Sequence, residues 1–203
     1  MPRAGEPSPT KGRTYEKEVY TREEMKALLD RTSSDRSSAV RNKALITVMW
    51  QSGLRVAEAL KLLPADFDLL TPDIFVRQGK GGKSRHTEPG PAAVQATERW
   101  LEVRSKLGLP RDVPLFCTLR GTKLSDKYVR ETMHRLARRA GWQKRAHPHG
   151  LRHTFAVELT KKRVPVSMIS TQLGHTSLDI TQIYLSGITN ADVHEAMKGV
   201  WDD

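Results

Sequence analysis

The feature that most constrains the fold is the apolar segment SAVRNKALITVMWQSG, residues 38–53. It is the most hydrophobic helix-length stretch of the chain, and its glycine at position 53 is a typical helix stop. A helix that is apolar on most of its surface must be covered by other elements. Hydrophobic residues form 37% of the sequence, which is enough for a real core. We therefore predict a core built around this helix.

Several amphipathic patterns can cover this central helix. Thr21 and Glu24 form a capping box that predicts a helix in YTREEMKALLD. The segment LRVAEALKLL predicts a short helix that ends before Pro64. Further helices are predicted by apolar spacing over residues 93–107 and 124–142, from Pro148 to about Arg163, and over 166–174, 177–186 and the segment after Tyr184.

The β signal lies in DIFVRQGKGGKSRHTE, residues 73–88. A β-type run meets a glycine-rich turn and then a polar strand, which predicts a hairpin with lysines at its tip. Residues 1–18 hold three prolines and few large apolar side chains, and they predict a disordered tail. The fold class is therefore mainly α with a small antiparallel β-hairpin or sheet, in one domain over residues 19–203.

The net charge is +11, from 34 basic and 23 acidic residues, and it indicates a polyanionic partner. DNA, RNA and anionic lipid are the candidates. Aromatic residues for base stacking make up only 6%, and we find no basic amphipathic helix with a large apolar face, so DNA is favoured. No apolar run approaches about 20 residues, which argues against a membrane span. The single Cys117 lies in an apolar run and predicts buried packing in a reducing cytoplasm.

The segment HGLRHTFA, residues 149–156, carries the most distinctive chemistry. His149 and Arg152 are three residues apart, so they share a face near a helix N-terminus, where anions are favoured. A phosphate site and an ordinary surface turn are both compatible with this pattern. A zinc site formed by His149 and His153 is disfavoured, because Arg152 would repel a metal ion between them.

Three other short segments can be interpreted as ordinary structural features or as functional sites. An arginine after the glycine break can simply pair with a glutamate three residues later. Lysines on the glycine-rich turn can be solvated, and a tyrosine can be half-buried. The residues concerned are Arg55 with Glu58, Lys80 and Lys83, His175, and Tyr184.

Taken in order, these residues resemble the catalytic domain of the tyrosine recombinases, the phage integrase family. The segments SGLRVAEAL, GKGGKSR, HPHGLRHTFA and LGHTSLDITQIY each look like one of that family's motifs, with similar spacing. The resemblance covers residues 19–203 and implies that family's DNA breaking-rejoining fold. A complete core-binding domain, which family members carry before the catalytic one, is not seen.

The resemblance implies a site-specific DNA recombinase or integrase. It would cleave and rejoin strands through a 3′-phosphotyrosyl intermediate without a metal, ATP or another cofactor. Tyr184 would be the nucleophile, and Arg55 and Arg152 would hold the phosphate oxygens. Lys80 would be the general acid, His149 would assist proton transfer, and His175 would donate to a phosphate oxygen.

Two supporting roles follow from the same resemblance. Glu58 would orient the first arginine, and His153 would support the site without touching the phosphate. Basic side chains on the hairpin and on the helix of residues 124–142 are also expected to bind DNA, because many charges of one sign on one helix indicate contacts with backbone phosphates. They are Lys83, Arg85, Lys127, Arg130, Arg138 and Arg139.

The implied partners are double-stranded DNA and other protomers. The chain would be a monomer without DNA and would join a synaptic homotetramer through its C-terminal helix. That helix carries an apolar stripe of Val193, Ala196, Met197 and Val200. The implied location is the cytoplasm of a bacterial or phage-infected cell. A type IB topoisomerase is an alternative enzyme. A DNA-binding regulator without catalysis is disfavoured, because all six catalytic positions hold the right residue types.

Overall fold

The computed structural model describes residues 18–32, 35–77, 82 and 84–174 of the chain. This part is mainly helical, as the apolar spacing predicts. The helices are α1 (Arg22–Asp30), α2 (Ser37–Ser52), α3 (Val56–Ala59), α4 (Pro91–Lys106), α5 (Asp126–Arg139), α6 (Pro148–Lys161) and α7 (Val166–Leu173).

Three short strands form one antiparallel sheet in the order β1-β2-β3. They are β1 (Phe67–Asp68), β2 (Asp73–Val76) and β3 (Arg85–Thr87). The hairpin prediction is confirmed, since Ile74 lies opposite Thr87 and Val76 lies opposite Arg85. Strand β1 was not predicted, because two residues are too few to show the alternation of a strand. The lysine-bearing tip, residues 78–81 and 83, lies outside the described residues.

Helix α2 is the centre of the core, as its composition predicts. It packs against α4 and α6. Leu45 and Met49 of α2 and Trp100 of α4 are all fully or almost fully buried. Gly53 ends α2 with φ of 63°, a left-handed conformation that glycine adopts without steric cost. The chain therefore leaves α2 by a sharp turn that places Arg55 beside the end of the helix.

Helix α3 is shorter than LRVAEALKLL predicts, since it ends at Ala59. The reason lies in the residues that follow. Leu62 is buried in the core, and the backbone of Leu63 is extended, with ψ of 160°. A proline disfavours helical backbone in the residue before it, and Pro64 opens a 3-10 turn here.

Two predictions about the ends of the chain lie outside the described residues. They are the tail of residues 1–18, apart from Glu18, and the helices after Gly174. The boundary at residue 18 therefore stays a prediction. Within the described part of the chain, no helix is long and apolar enough to cross a membrane. Cys117 is buried, as its apolar neighbours predict.

Candidate active site

The N-terminus of α6 is built by residues around the HGLRH segment. Pro148 occupies the first turn, as predicted. The cap before it is His147, whose Nδ1 accepts a hydrogen bond from the Gly150 amide at 3.1 Å. Burial lowers the pKa of His147, against the opposing charge of Glu18, and this favours the neutral ring that can accept the bond. The sequence does not mark this cap, because histidine is not among the strongly preferred N-cap residues.

Tyr20 fixes the same helix end from the other side. Its backbone amide donates to Thr154 Oγ1 at 2.9 Å, and its hydroxyl donates to the Arg145 carbonyl at 3.0 Å. Burial raises the pKa of Tyr20 to about 12. A Cβ on Gly150 would lie 2.2 Å from the tyrosine oxygen. The glycine of HGLRH is therefore needed for this close approach.

Arg152 joins three motif segments at one point. Its side chain is buried, with 2% of the residue exposed. Nη1 donates to the Gly53 carbonyl and Nη2 donates to the Leu173 carbonyl, each at 2.7 Å. Gly53 stands two residues before Arg55 in the sequence, and Leu173 stands two residues before His175. The guanidinium therefore holds together the helix ends that lead into two other predicted site residues.

Arg55 and Glu58 form the pair that the sequence predicts. Nη1 of Arg55 lies 2.8 Å from Glu58 Oε1, and the backbone amide of Arg55 donates to Oε2 at 2.8 Å. The glutamate side chain is only 4% exposed, whereas that of the arginine is 30% exposed. The carboxylate is thus fixed in the protein and orients an arginine that still reaches the surface.

Arg85 binds the same carboxylate, a contact that no local sequence pattern predicts. Its Nη1 and Nη2 donate to the two oxygens of Glu58 at 3.0 and 2.9 Å. Burial by itself raises the pKa of Glu58, but the hydrogen bonds from Arg85 and Arg55 outweigh it and hold that pKa below its ordinary value. The glutamate is therefore charged at neutral pH. The DNA contact predicted for Arg85 stays a prediction.

The C-terminal end of α7 is attached to strand β3. Nε of Arg85 donates to the Gln172 carbonyl at 3.1 Å, and Gln172 Oε1 accepts hydrogen bonds from Thr87 Oγ1 and the Glu88 amide. A Cβ on Gly174 would lie 2.7 Å from Arg85 Cδ. Positive groups are favourable at a helix C-terminus. Arg85 and Arg152 each place a guanidinium at the C-terminus of α7, where they bind the carbonyls of Gln172 and Leu173.

The two histidines of α6 lie in different environments. His149 is exposed on the first turn, whereas His153 is buried, with 7% exposed. Among the residues that the structure describes, no group of three or more metal-ligating side chains is placed to hold a metal ion. The proposed functional roles of His149 and His153 stay predictions.

The predicted DNA-binding residues of α5 all lie on its exposed face. Lys127 is 3.8 Å from Glu131, and Arg130 is 3.5 Å from Asp126, so acidic neighbours partly offset these two charges. Within the described ranges, Arg138 and Arg139 have no acidic partner within 4.0 Å. Buried Val129, Met133 and Leu136 form the opposite face, as predicted.

The structure thus brings together Arg55, Glu58, Arg85 and Arg152 at the ends of α2 and α7. Four other predicted site residues lie outside the described residues, and their roles stay predictions. They are Lys80, Lys83, His175 and Tyr184.

Comparison with known proteins decides the family. The sequence profile of the phage integrase family matches residues 18–189. The chain belongs to the phage integrase family. Tyrosine recombinase XerC of Haemophilus ducreyi is 38% identical over 162 residues, which cover 80% of this chain and 52% of that protein. XerC of Halalkalibacterium halodurans is 37% identical over 170 residues, covering 80% and 55%. The chain spans about half the length of these curated relatives.

Solved structures agree with this family assignment. The crystal structure of XerA recombinase superimposes with a TM-score of 0.77 at 31% identity, covering 89% of this chain and 64% of that one. The XerH site-specific recombinase, bound to a palindromic difH substrate in a post-cleavage complex, gives 0.72 at 28% identity, covering 91% and 53%. The tyrosine recombinase fold predicted from the motifs is therefore confirmed.

Proposed function

We propose that this integrase-family domain is the catalytic part of a site-specific DNA recombinase that cleaves and rejoins strands through a 3′-phosphotyrosyl intermediate. The observation that carries the proposal is the position of Arg152. Its guanidinium bonds to the carbonyls of Gly53 and Leu173, so three separate motif segments meet around one buried cation. Arg152 is only 2% exposed, so it positions the segment of Arg55, whose side chain is 30% exposed and can reach a phosphate. The phosphate contact expected of Arg152 itself stays a prediction.

The proposed chemistry begins with attack by Tyr184. Its hydroxyl oxygen forms a bond to the scissile phosphorus, the bond from phosphorus to the 5′-oxygen breaks, and the new 3′-phosphotyrosine conserves the bond energy. A tyrosine hydroxyl has an ordinary pKa of about 10, so the site must assist loss of its proton. His149 would assist this proton transfer, and Lys80 would give a proton to the leaving 5′-oxygen. The reverse reaction with a 5′-hydroxyl of a partner strand would complete the exchange.

Charge stabilisation would come from the arginines. The transition state carries negative charge on the non-bridging phosphate oxygens, and fixed cations stabilise this charge without reorganisation. Arg55 is suited to the task because Glu58 orients it while 30% of its side chain remains exposed. His175 would add a donor from the segment after α7. The proposed reaction needs no nucleotide, because the phosphotyrosine keeps the energy of the broken bond. It needs no metal, because the arginines supply the positive charge.

Double-stranded DNA is the proposed substrate, and the basic face of α5 supports this proposal. The XerH relative was solved on its difH DNA. A reaction that exchanges strands between two duplexes requires several protomers, and we propose a synaptic homotetramer joined by the C-terminal helix. A bacterial cytoplasm is the corresponding location.

Covalent trapping tests the catalytic proposal. The protein is mixed with a pool of nicked duplexes, denatured in detergent and examined for a protein–DNA adduct, with Tyr184→Phe as the matched control. We expect an adduct with the unchanged protein and none with the variant, because phenylalanine lacks the attacking oxygen. Sequencing of the trapped strands then defines the cleaved site. An adduct that persists in Tyr184→Phe would contradict the assignment of the nucleophile.

A deletion tests the proposed role of the C-terminal helix. Removal of the residues after about Ser186 takes away the apolar stripe but keeps Tyr184. We expect DNA binding to be retained in a gel-shift assay, while recombination between two target sites is lost. Recombination at the unchanged rate would rule out assembly through this helix.

A further inference from the structure

The hairpin that carries Lys80 is anchored on both arms by a buried carboxylate. Before the tip, Nε of Arg77 donates to Asp66 Oδ1 at 2.7 Å. After the tip, Arg85 binds both oxygens of Glu58. The Arg77 side chain is 54% exposed and that of Arg85 is 10% exposed. The two pairs also differ in what else the carboxylate binds. Asp66 otherwise accepts only from the nearby Leu63 amide among the described residues, whereas Glu58 also binds a predicted phosphate-binding arginine.

The carboxylate of Glu58 is shared evenly between two arginines. Its Oε1 accepts from Nη1 of Arg55 at 2.8 Å and from Nη1 of Arg85 at 3.0 Å. Its Oε2 accepts from the backbone amide of Arg55 at 2.8 Å and from Nη2 of Arg85 at 2.9 Å. A two-pronged bond from a planar guanidinium fixes the plane of a carboxylate. Arg85 therefore helps to fix the plane in which Glu58 presents its oxygens to Arg55.

Arg85 is itself held from the opposite side. Its Nε donates to the Gln172 carbonyl at 3.1 Å, and its side chain lies against Gly174 at the end of α7. One side chain thus connects the Arg55 segment, the hairpin and the helix that leads to His175. Only 10% of the Arg85 side chain is exposed, which favours a role inside the site over the DNA contact that we predicted for it.

We propose that Arg85 is a positioning residue, which orients Arg55 through Glu58 and ties this pair to the end of α7. The inference rests on the proposed strand cleavage, in which Arg55 binds the scissile phosphate. Arg85 touches no reacting atom in this proposal. Its loss would let Glu58 and Arg55 rotate, and a misplacement of about 1 Å can cost a factor of about 100 in rate.

The test compares Arg85→Met with the matched variant Arg77→Met, which removes the arginine from the other arm of the hairpin. Single-turnover cleavage is measured on two nicked duplexes of the trapped sequence. One carries the natural scissile phosphate, and the other carries a methylphosphonate at that position. A methyl group in place of a charged oxygen removes charge that Arg55 would compensate. A defect that acts through Arg55 should therefore shrink on the second substrate.

We expect Arg85→Met to slow cleavage of the natural phosphate by about 100-fold. The cleavage rate on the methylphosphonate should fall by a much smaller factor. For Arg77→Met, the cleavage rate relative to that of the unchanged protein should be the same on both substrates. Cleavage by Arg85→Met at the unchanged rate overturns the inference. An equal loss on both substrates also overturns it, since this would indicate a general disturbance of the hairpin.

A second measurement does not depend on cleavage. The guanidinium N–H resonances of Arg55 report on its bond to Glu58 by NMR, and they should broaden or shift in Arg85→Met. Arg85→Lys, which keeps the charge but not the planar fork, replaces the methionine variant if that variant does not fold. Arg55 resonances that are unchanged in the folded variant overturn the inference. Absence of any adduct with the unchanged protein would instead count against the proposed function, so the two failures are distinguishable.

Discussion

Gly150 shows how one residue of a catalytic motif can be required by packing. Its neighbours in HGLRH suggest chemistry, yet the glycine itself is explained by the ring of Tyr20. The tyrosine hydroxyl also accepts a hydrogen bond from the His147 amide at 3.0 Å. The start of α6 is therefore positioned by a residue that lies far away in the sequence.

Gly150→Ala should destabilise the protein by about 1–3 kcal/mol, because the added methyl group overlaps the Tyr20 ring and neither group can move easily. Thermal or urea unfolding measures the loss. Gly90→Ala at the start of α4 is the control with a smaller expected loss. A Cβ there meets the Gln51 side chain, whose Oε1 would have to give up its hydrogen bond from the Ala93 amide. A Gly150→Ala protein as stable as the Gly90→Ala protein would contradict this account of the close approach.

Arg85 and Glu58 illustrate what can be predicted at the scale of residues. The spacing of three residues between Arg55 and Glu58 predicts their pair, and the structure confirms it. The pair of Glu58 with Arg85 spans 27 residues, and no local pattern marks it. The charge of Arg85 was consistent with a DNA contact, and only its burial indicates another use.

Elements of secondary structure were predicted well where local signals are strong. The capping box of α1, the glycine end of α2, the hairpin and the proline start of α6 are all confirmed. The cap of α6 was missed because a histidine ring replaces the usual hydroxyl or carboxylate. Its function is nevertheless the same, since Nδ1 accepts from an otherwise unsatisfied amide.

This cap should make α6 sensitive to acid. The pKa of His147 is lowered in the folded protein, so its contribution to stability is complete above the unfolded value of about 6.5. The contribution is lost as the pH falls through the folded pKa, since a protonated Nδ1 cannot accept the bond. His147→Asn should keep a cap and reduce this pH dependence, and His147→Ala should cost about 1 kcal/mol at pH 8.

Unfolding curves of the three proteins between pH 8 and pH 5 provide the measurement. The unchanged protein should lose more stability over this range than His147→Asn. The proposed cap would be wrong if the two proteins had the same pH profile.

At the scale of the whole molecule, the net charge and the position of the basic side chains both indicate an anionic partner. The net charge is +11, and several of the basic side chains lie together on the exposed face of α5. Arg138 and Arg139 are the best candidates for phosphate contacts. Within the described part of the chain, they lack the acidic neighbours that Lys127 and Arg130 have.

Salt dependence of DNA binding tests this surface. Each phosphate contact that is lost should reduce the slope of log K against log salt concentration by about 0.9. Replacement of both Arg138 and Arg139 by glutamine should therefore reduce the slope by roughly 2, measured by fluorescence anisotropy. Lys106→Gln on α4 is the control for a general loss of charge. An unchanged slope in the double variant would exclude Arg138 and Arg139 from the DNA interface.

The sequence by itself determined the order of the described helices and of the hairpin, the fold class and the motif residues, because periodicity, caps and glycine stops are local and depend on side-chain type. Tertiary structure alone decided how the motifs meet. Arg152 binds the carbonyls of Gly53 and Leu173, and every residue has a carbonyl, so no side chain marks an acceptor in advance. The same holds for Tyr20 against Gly150, where a close approach depends on how distant elements pack.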